Sequence, residues 1–193
     1  MRRALIPFAL VLVPVLAGGC ADEAVPDRDP VGPAEPTEGR RIRRLSAEQF
    51  HRSLEVATGQ TWARFETFAA ALGRPDFVDL TEQGLDISVT FDKLVHDAAQ
   101  EACAEAVAAD RAGGDTILRE ASLTDREGAP LAANLRYLYR RFLGFTVEDD
   151  GDPRLTPWLT LLQEPAATTD NAMAARWTAV CVGLVTHPDF LTY

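Results

Sequence analysis

The sequence predicts an all-α body, a compact array of about five or six helices joined by short connections. Three observations predict it. After residue 45, apolar residues recur at intervals of three and four, the period of a helix with one buried face. Start and stop signals bracket these stretches: Ser46, Ser88 and Thr156-Pro157 ahead of them, Gly59, Gly113-Gly114 and Gly144 behind. No segment shows the strict alternation of a half-buried strand, and no repeat is present.

Ser46-Ala47-Glu48-Gln49 forms a capping box, with Ser at the N-cap and Gln three residues on. Phe50, Leu54 and Ala57 follow at helical spacing until Gly59. Trp62, Phe65, Phe68, Ala69 and Leu72 predict a second, short helix closed by Gly73 and Pro75. Residues 74–87 have no period and read as loop. Asp86 or Ser88 opens the longest helix, which runs to about Ala109 and is ended by Gly113-Gly114. Its inward face is Phe91, Leu94, Val95, Ala98, Ala102 and Ala106, with Cys103 beside them in line with Val95, Ala99 and Val107.

Asp115 is placed to cap a short turn through Leu118, and the polar run to Gly128 reads as loop. Leu131, Leu135, Leu138 and Phe142 mark the next helix, from near Pro130 to Gly144. Residues 145–156 are acidic and irregular. Thr156-Pro157 then reads as N-cap and first helical residue, leading into Trp158, Leu159 and Leu162, with Pro165 as its bound. A last helix spans about Asp170 to Thr186, with Met173, Trp177, Val180, Cys181 and Leu184 inward, until His187-Pro188 breaks it.

The front of the chain is of another kind. Arg2 and Arg3 precede an apolar run from Ala4 to Leu16, and Ala17-Gly18-Gly19 leads into Cys20. That is the layout of a secretory signal. The run falls short of the roughly 20 apolar residues that a spanning helix needs. Small residues directly before a cysteine resemble the lipobox of bacterial lipoproteins, with Ala17 where that family prefers Leu. The resemblance implies cleavage before Cys20, its diacylation, and a membrane anchor at the new N-terminus. Ala21, rather than Asp, after the cysteine points to the outer membrane. Residues 1–19 are then signal. Residues 20–44 are the acylated cysteine plus a disordered tether with four prolines in 21–39, ending in the Arg40-Arg41-Ile42-Arg43-Arg44 run. Residues 45–193 form one helical domain. The arginine run reads either as a docking strip for an acidic partner or lipid headgroups, or as a solvated lead-in whose arginines pair with the acidic body.

Charge narrows the partners. The net charge is −10, and it becomes −12 once Arg2 and Arg3 leave with the signal. Such a surface disfavours nucleic acid, which rewards clustered cations on phosphate. With Cys20 acylated, Cys103 and Cys181 remain, an even pair in an exported chain. They read as a disulfide, or as two buried thiols.

No catalytic or ligating motif emerges. His51, His96 and His187 stand alone, and the chain has no HExxH, CxxCH, CxxC, P-loop or GxSxG elbow. Glu148-Asp149-Asp150-Gly151-Asp152 lacks the spacing of a calcium loop. Neither a metal nor a cofactor is expected, and no catalytic residue is assigned.

Arg43 to Phe50 (RRLSAEQF), Tyr137 to Gly144 (YLYRRFLG), and Trp177 with His187 to Leu191 (HPDFL) occur in an order that resembles helical exported domains of unknown function. Those domains are found on cytochrome c-associated surface proteins. The resemblance implies an all-helical accessory module and brings no catalytic residues; the missing CxxCH separates this chain from the haem-bearing members. The expected function is a membrane-tethered, non-enzymatic module binding another envelope protein. The alternatives are an envelope enzyme, a hydrolase using Asp149, Asp150 and Asp152, and an electron-transfer accessory docking a cytochrome.

Overall fold

The computed structural model describes residues 43–75, 87–165 and 169–193. The signal, Cys20, the tether as far as residue 42, Asp86 and all but the ends of the 74–87 loop lie outside the described residues. Within them the chain is all-α, with seven helices: α1 (Ala47–Thr58), α2 (Phe65–Phe68), α3 (Val89–Arg111), α4 (Ala129–Leu143), α5 (Thr156–Gln163), α6 (Asp170–Val185) and α7 (Pro188–Leu191). Two of the seven, α2 and α7, are single turns.

Hydroxyl side-chain caps set the starts of three of the longer helices. Ser46 Oγ accepts from Gln49 N at 3.2 Å, and Gln49 Oε1 accepts from Ser46 N at 2.8 Å, closing the box ahead of α1. Ser88 Oγ accepts from Phe91 N ahead of α3, and Thr169 Oγ1 from Ala172 N ahead of α6. Gly59 and Gly144, both at φ 70°, end α1 and α4 in the left-handed region that residues with a Cβ avoid.

Four local expectations are corrected. Thr156 is the first helical residue of α5 and Leu155 its cap, with no side-chain cap bond. His187-Pro188 ends α6 but also starts α7, because a proline suits the first turn and His187 Nδ1 accepts from Asp189 N at 3.2 Å. Only one turn forms between Trp62 and Leu72, although Trp62, Phe65, Ala69 and Leu72 are all buried as their spacing required. The segment after α3 is not helical and Asp115 caps nothing there. Asp110, from the last turn of α3, takes that role: its carboxylate accepts from the N–H groups of Thr116, Ile117 and Leu118 at 2.9, 2.6 and 2.7 Å.

α6 is the axis of the core, with α3, α4, α5 and α7 packed on it, and its interior positions are apolar nearly all round. Its most extensive partner is α3, on which Ala98, Ala99, Ala102 and Ala106 are all fully buried. Small side chains let the two backbones approach closely. Across that seam Cys103 and Cys181 form a disulfide, with Cα atoms 5.8 Å apart and no exposed surface.

The two ends of the domain meet. Arg43 and Tyr193 exchange backbone hydrogen bonds of 3.1 and 3.0 Å, and Leu45 N donates to Leu191 O at 2.8 Å. Arg43 and Arg44 therefore pair with the closing segment. Arg44, from the run read as docking strip or solvated lead-in, is 4% exposed and lies on the Phe91 ring. Among the described residues no helix is long and apolar enough to cross a membrane.

Candidate functional site

The acidic run 148–152, which the enzyme alternative would need, is tied to arginines. Arg154 grips Asp152 through Nη2 at 2.6 Å and Nε at 2.9 Å, and its own N–H adds a third bond at 2.9 Å. These bonds, the side-chain ones first, hold the Asp152 carboxyl down at about 2. Asp150 pairs with Arg136 at 3.2 Å, and Asp149 accepts from Gly151 N at 2.8 Å. A general acid for neutral pH needs the opposite shift, upward. Asp152 therefore serves as a fixed anion that orders its loop.

The three histidines are also dispersed. His51 stacks on Phe65 with ring centres 4.0 Å apart, His96 lies 3.5 Å from Gln100, and His187 caps α7. Among the described residues no group of His, Cys, Asp and Glu side chains gathers as a metal-ligand set.

The stretches that carry the family resemblance do come together. Leu45 bonds Leu191 through the backbone, and Phe142 packs on Phe190 with ring centres 6.0 Å apart. Trp177 is fully buried on α6. Arg141 donates from Nε to Ala57 O at 2.7 Å and from Nη2 to Val56 O at 3.0 Å, so it serves the orphan carbonyls at the C-terminal end of α1. Tyr139 is buried, donating its hydroxyl to Arg154 O and accepting from Trp158 Nε1, both at 2.9 Å. Most of the YLYRRFLG stretch is thus structural. Arg140 is the exception: it is exposed, with no partner among the described residues.

Arg140 lines a charged surface groove of about 320 Å³. One wall is α4, which presents Arg136 and Arg140 one turn apart with Tyr137 between them. Glu120 and Glu148 line the groove as well. Tyr137 is buried and donates its hydroxyl to Thr116 O at 3.1 Å, while the Arg119 guanidinium lies 5.3 Å from the ring centre. The Glu120 position is fixed from below. Asn134, fully buried on α4, accepts from the N–H groups of Arg119 and Glu120 at 2.9 Å each and donates to Ile117 O at 2.8 Å. Sequence reasoning missed this groove, although Arg136 and Arg140 at a spacing of four were visible. The residues facing them come from loops whose return is not periodic.

A second groove, about 340 Å³, runs between α1 and the α4–α7 corner. Phe142, Phe190 and the exposed Val56 line it, with Arg52 and Asp189 at the edge. Compared with protein-family models, curated proteins and solved structures, the chain finds no match.

Proposed function

We propose that the chain is an exported lipoprotein, anchored through acylated Cys20, whose helical domain is a non-enzymatic binding module for another envelope protein. The observation that carries the export half is the Cys103–Cys181 bridge. A disulfide sealed between two core helices suits an oxidising compartment outside the cytosol. It agrees with the charged start, apolar run and small-residue approach to Cys20. The binding half is supported by the partly apolar groove between α1 and α7, where Val56 is 70% exposed beside Phe142 and Phe190. The acidic run favours no hydrolase, since Asp150 and Asp152 are held by Arg136 and Arg154.

The test has two parts. Cys20→Ala should leave the protein with its uncleaved mass, or release it from membranes. A variant that still enters detergent at mature mass sinks the anchor reading. In-cell cross-linking from Val56, with the cross-linked partner identified by mass, should capture one envelope protein reproducibly. If only lipid and abundant bystanders are captured, the binding reading fails. Density-gradient fractionation tests the outer-membrane placement.

A further inference from the structure

The groove over Tyr137 carries both signs of charge and does not neutralise them internally. On α4, Arg136 and Arg140 sit four residues apart and share a flank. Arg136 is oriented by Asp150 and by Glu148 O, at 3.2 Å each, while Arg140 has no partner among the described residues. Glu120 reaches only Arg119, at a loose 3.9 Å, and the Glu148 carboxylate has no partner among the described residues. Neither glutamate pairs with Arg140. Cations and carboxylates therefore line one space of about 320 Å³ without closing it, a volume at the small end of ligand sites.

We propose that this groove binds a small zwitterion of dipeptide size, its carboxylate on Arg140 beside Arg136 and its ammonium between Glu120 and Glu148. A purely anionic ligand meets the two glutamates, and a purely cationic one meets the two arginines. A molecule with both ends charged finds a complement at each. Arginine suits the carboxylate end because its planar fork can donate two parallel bonds. The floor of the site is held: Tyr137 by its bond to Thr116 O, the Glu120 backbone by Asn134, and Arg136 by Asp150. Arg140 and the Glu148 carboxylate are left to order on the ligand, each at a cost in side-chain freedom. This inference does not depend on the anchor or on a protein partner, so it can fail while they stand.

The experiment uses the full chain in detergent micelles at low ionic strength. L-alanyl-L-alanine is titrated while the amide signals of Tyr137 and Arg140 are followed. Saturable binding is expected, with the N-acetylated and the C-amidated dipeptides each weaker by about tenfold. Arg140→Gln should abolish the discrimination against the amide while keeping that against the acetyl form. Glu148→Gln should do the reverse, and Arg52→Gln, outside this groove, should change neither. A lost fold would show in the helical circular dichroism, so these variants separate binding from structure. If the three dipeptides bind alike, or none saturates in the millimolar range, the proposal is overturned.

Discussion

The Arg44 guanidinium lies 3.8 Å from the centre of the Phe91 ring, and both its terminal nitrogens donate to Leu72 O at 3.3 Å. One side chain thus joins the entry of the domain, the turn after α2 and the first turn of α3. A buried guanidinium is tolerated because the ring face and the carbonyl replace water.

Arg44→Ala should remove the stacking and leave Leu72 O unsatisfied. A loss of roughly 2–3 kcal/mol is expected, enough to lower Tm by about 5–10 °C. Arg44→Lys keeps the charge but not the planar fork, and should recover less than half. Thermal unfolding by circular dichroism checks both. An unchanged Tm in Arg44→Ala would make the run a mere lead-in.

Arg44 also shows where the sequence is legible. α1, α3 and α4, with a clear period and a cap or stop glycine, and α6, an apolar run bounded by His187-Pro188, could be located because their signals lie within one or two turns. The inward cysteines followed from the same faces; the bridge reading rested on an even pair in an exported chain, since the faces suited buried thiols as well. Arg44 was misread because its partners lie 28 and 47 positions away, and nothing local distinguishes it from Arg43. Arg176 resembles it, being 9% exposed and bonded to Leu162 O in the last turn of α5 and to Glu164 O at its C-cap. An arginine that serves another helix's carbonyls leaves no periodic trace. The candidate groove was hidden for the same reason: only its α4 wall obeys a period.

The bridge between Cys103 and Cys181 closes a loop spanning 78 positions. Restricting the unfolded chain to that extent contributes about 4–5 kcal/mol at most. Replacing both cysteines with Ala should lower Tm by about 8–15 °C, and reductant should then affect only the parent. Thiol counting on denatured, non-reduced protein should find neither residue free. Two titratable thiols would contradict the bridge.

Gly183 on α6 faces the Trp158 ring so closely that a Cβ added there would stand 2.4 Å from the ring. Gly183→Ala should push the indole outward and break its bond to Tyr139, costing about 1–3 kcal/mol. Tryptophan emission should shift to the red. Adding Trp158→Leu should restore part of the stability, because the smaller side chain removes the clash. If Gly183→Ala is as stable as the parent, α5 packs on α6 more loosely than described.

Acid should release the 148–152 loop late. Asp152 is held at about 2, below its ordinary 3.8, by Arg154. A depressed pKa means that the pair's contribution is complete above the unfolded value and fades as pH falls through the folded one. The window is therefore roughly pH 4 down to 2. A carboxyl titration followed by NMR should find Asp152 ionised at pH 3, with Arg154→Gln returning it toward 3.8. An Asp152 that titrates normally in the parent would dissolve the clamp.

Asp110 and Asn134 together hold the segment from Thr116 to Glu120 against α4, accepting from five backbone N–H groups between them. Asp110→Ala would strand three of those donors beside the fully buried Ile117. The expected cost is about 3–5 kcal/mol, since each buried donor left unpaired forfeits its desolvation. Asn134→Asp is isosteric but turns a donor toward Ile117 O into an acceptor, so it should destabilise despite its shape. Gly114→Ala should do likewise, because its Cβ would stand 2.7 Å from Asp110 Oδ1. The two clamp residues differ in what they reach. Asn134 alone accepts from Glu120 N, so Asn134→Leu, which removes that oxygen, should weaken alanyl-alanine binding even where the fold survives, while a Gly114→Ala variant that folds should bind as the parent does. Amide exchange at Glu120, read beside that titration, separates the outcomes: rapid exchange with undiminished binding would remove Glu120 from the site.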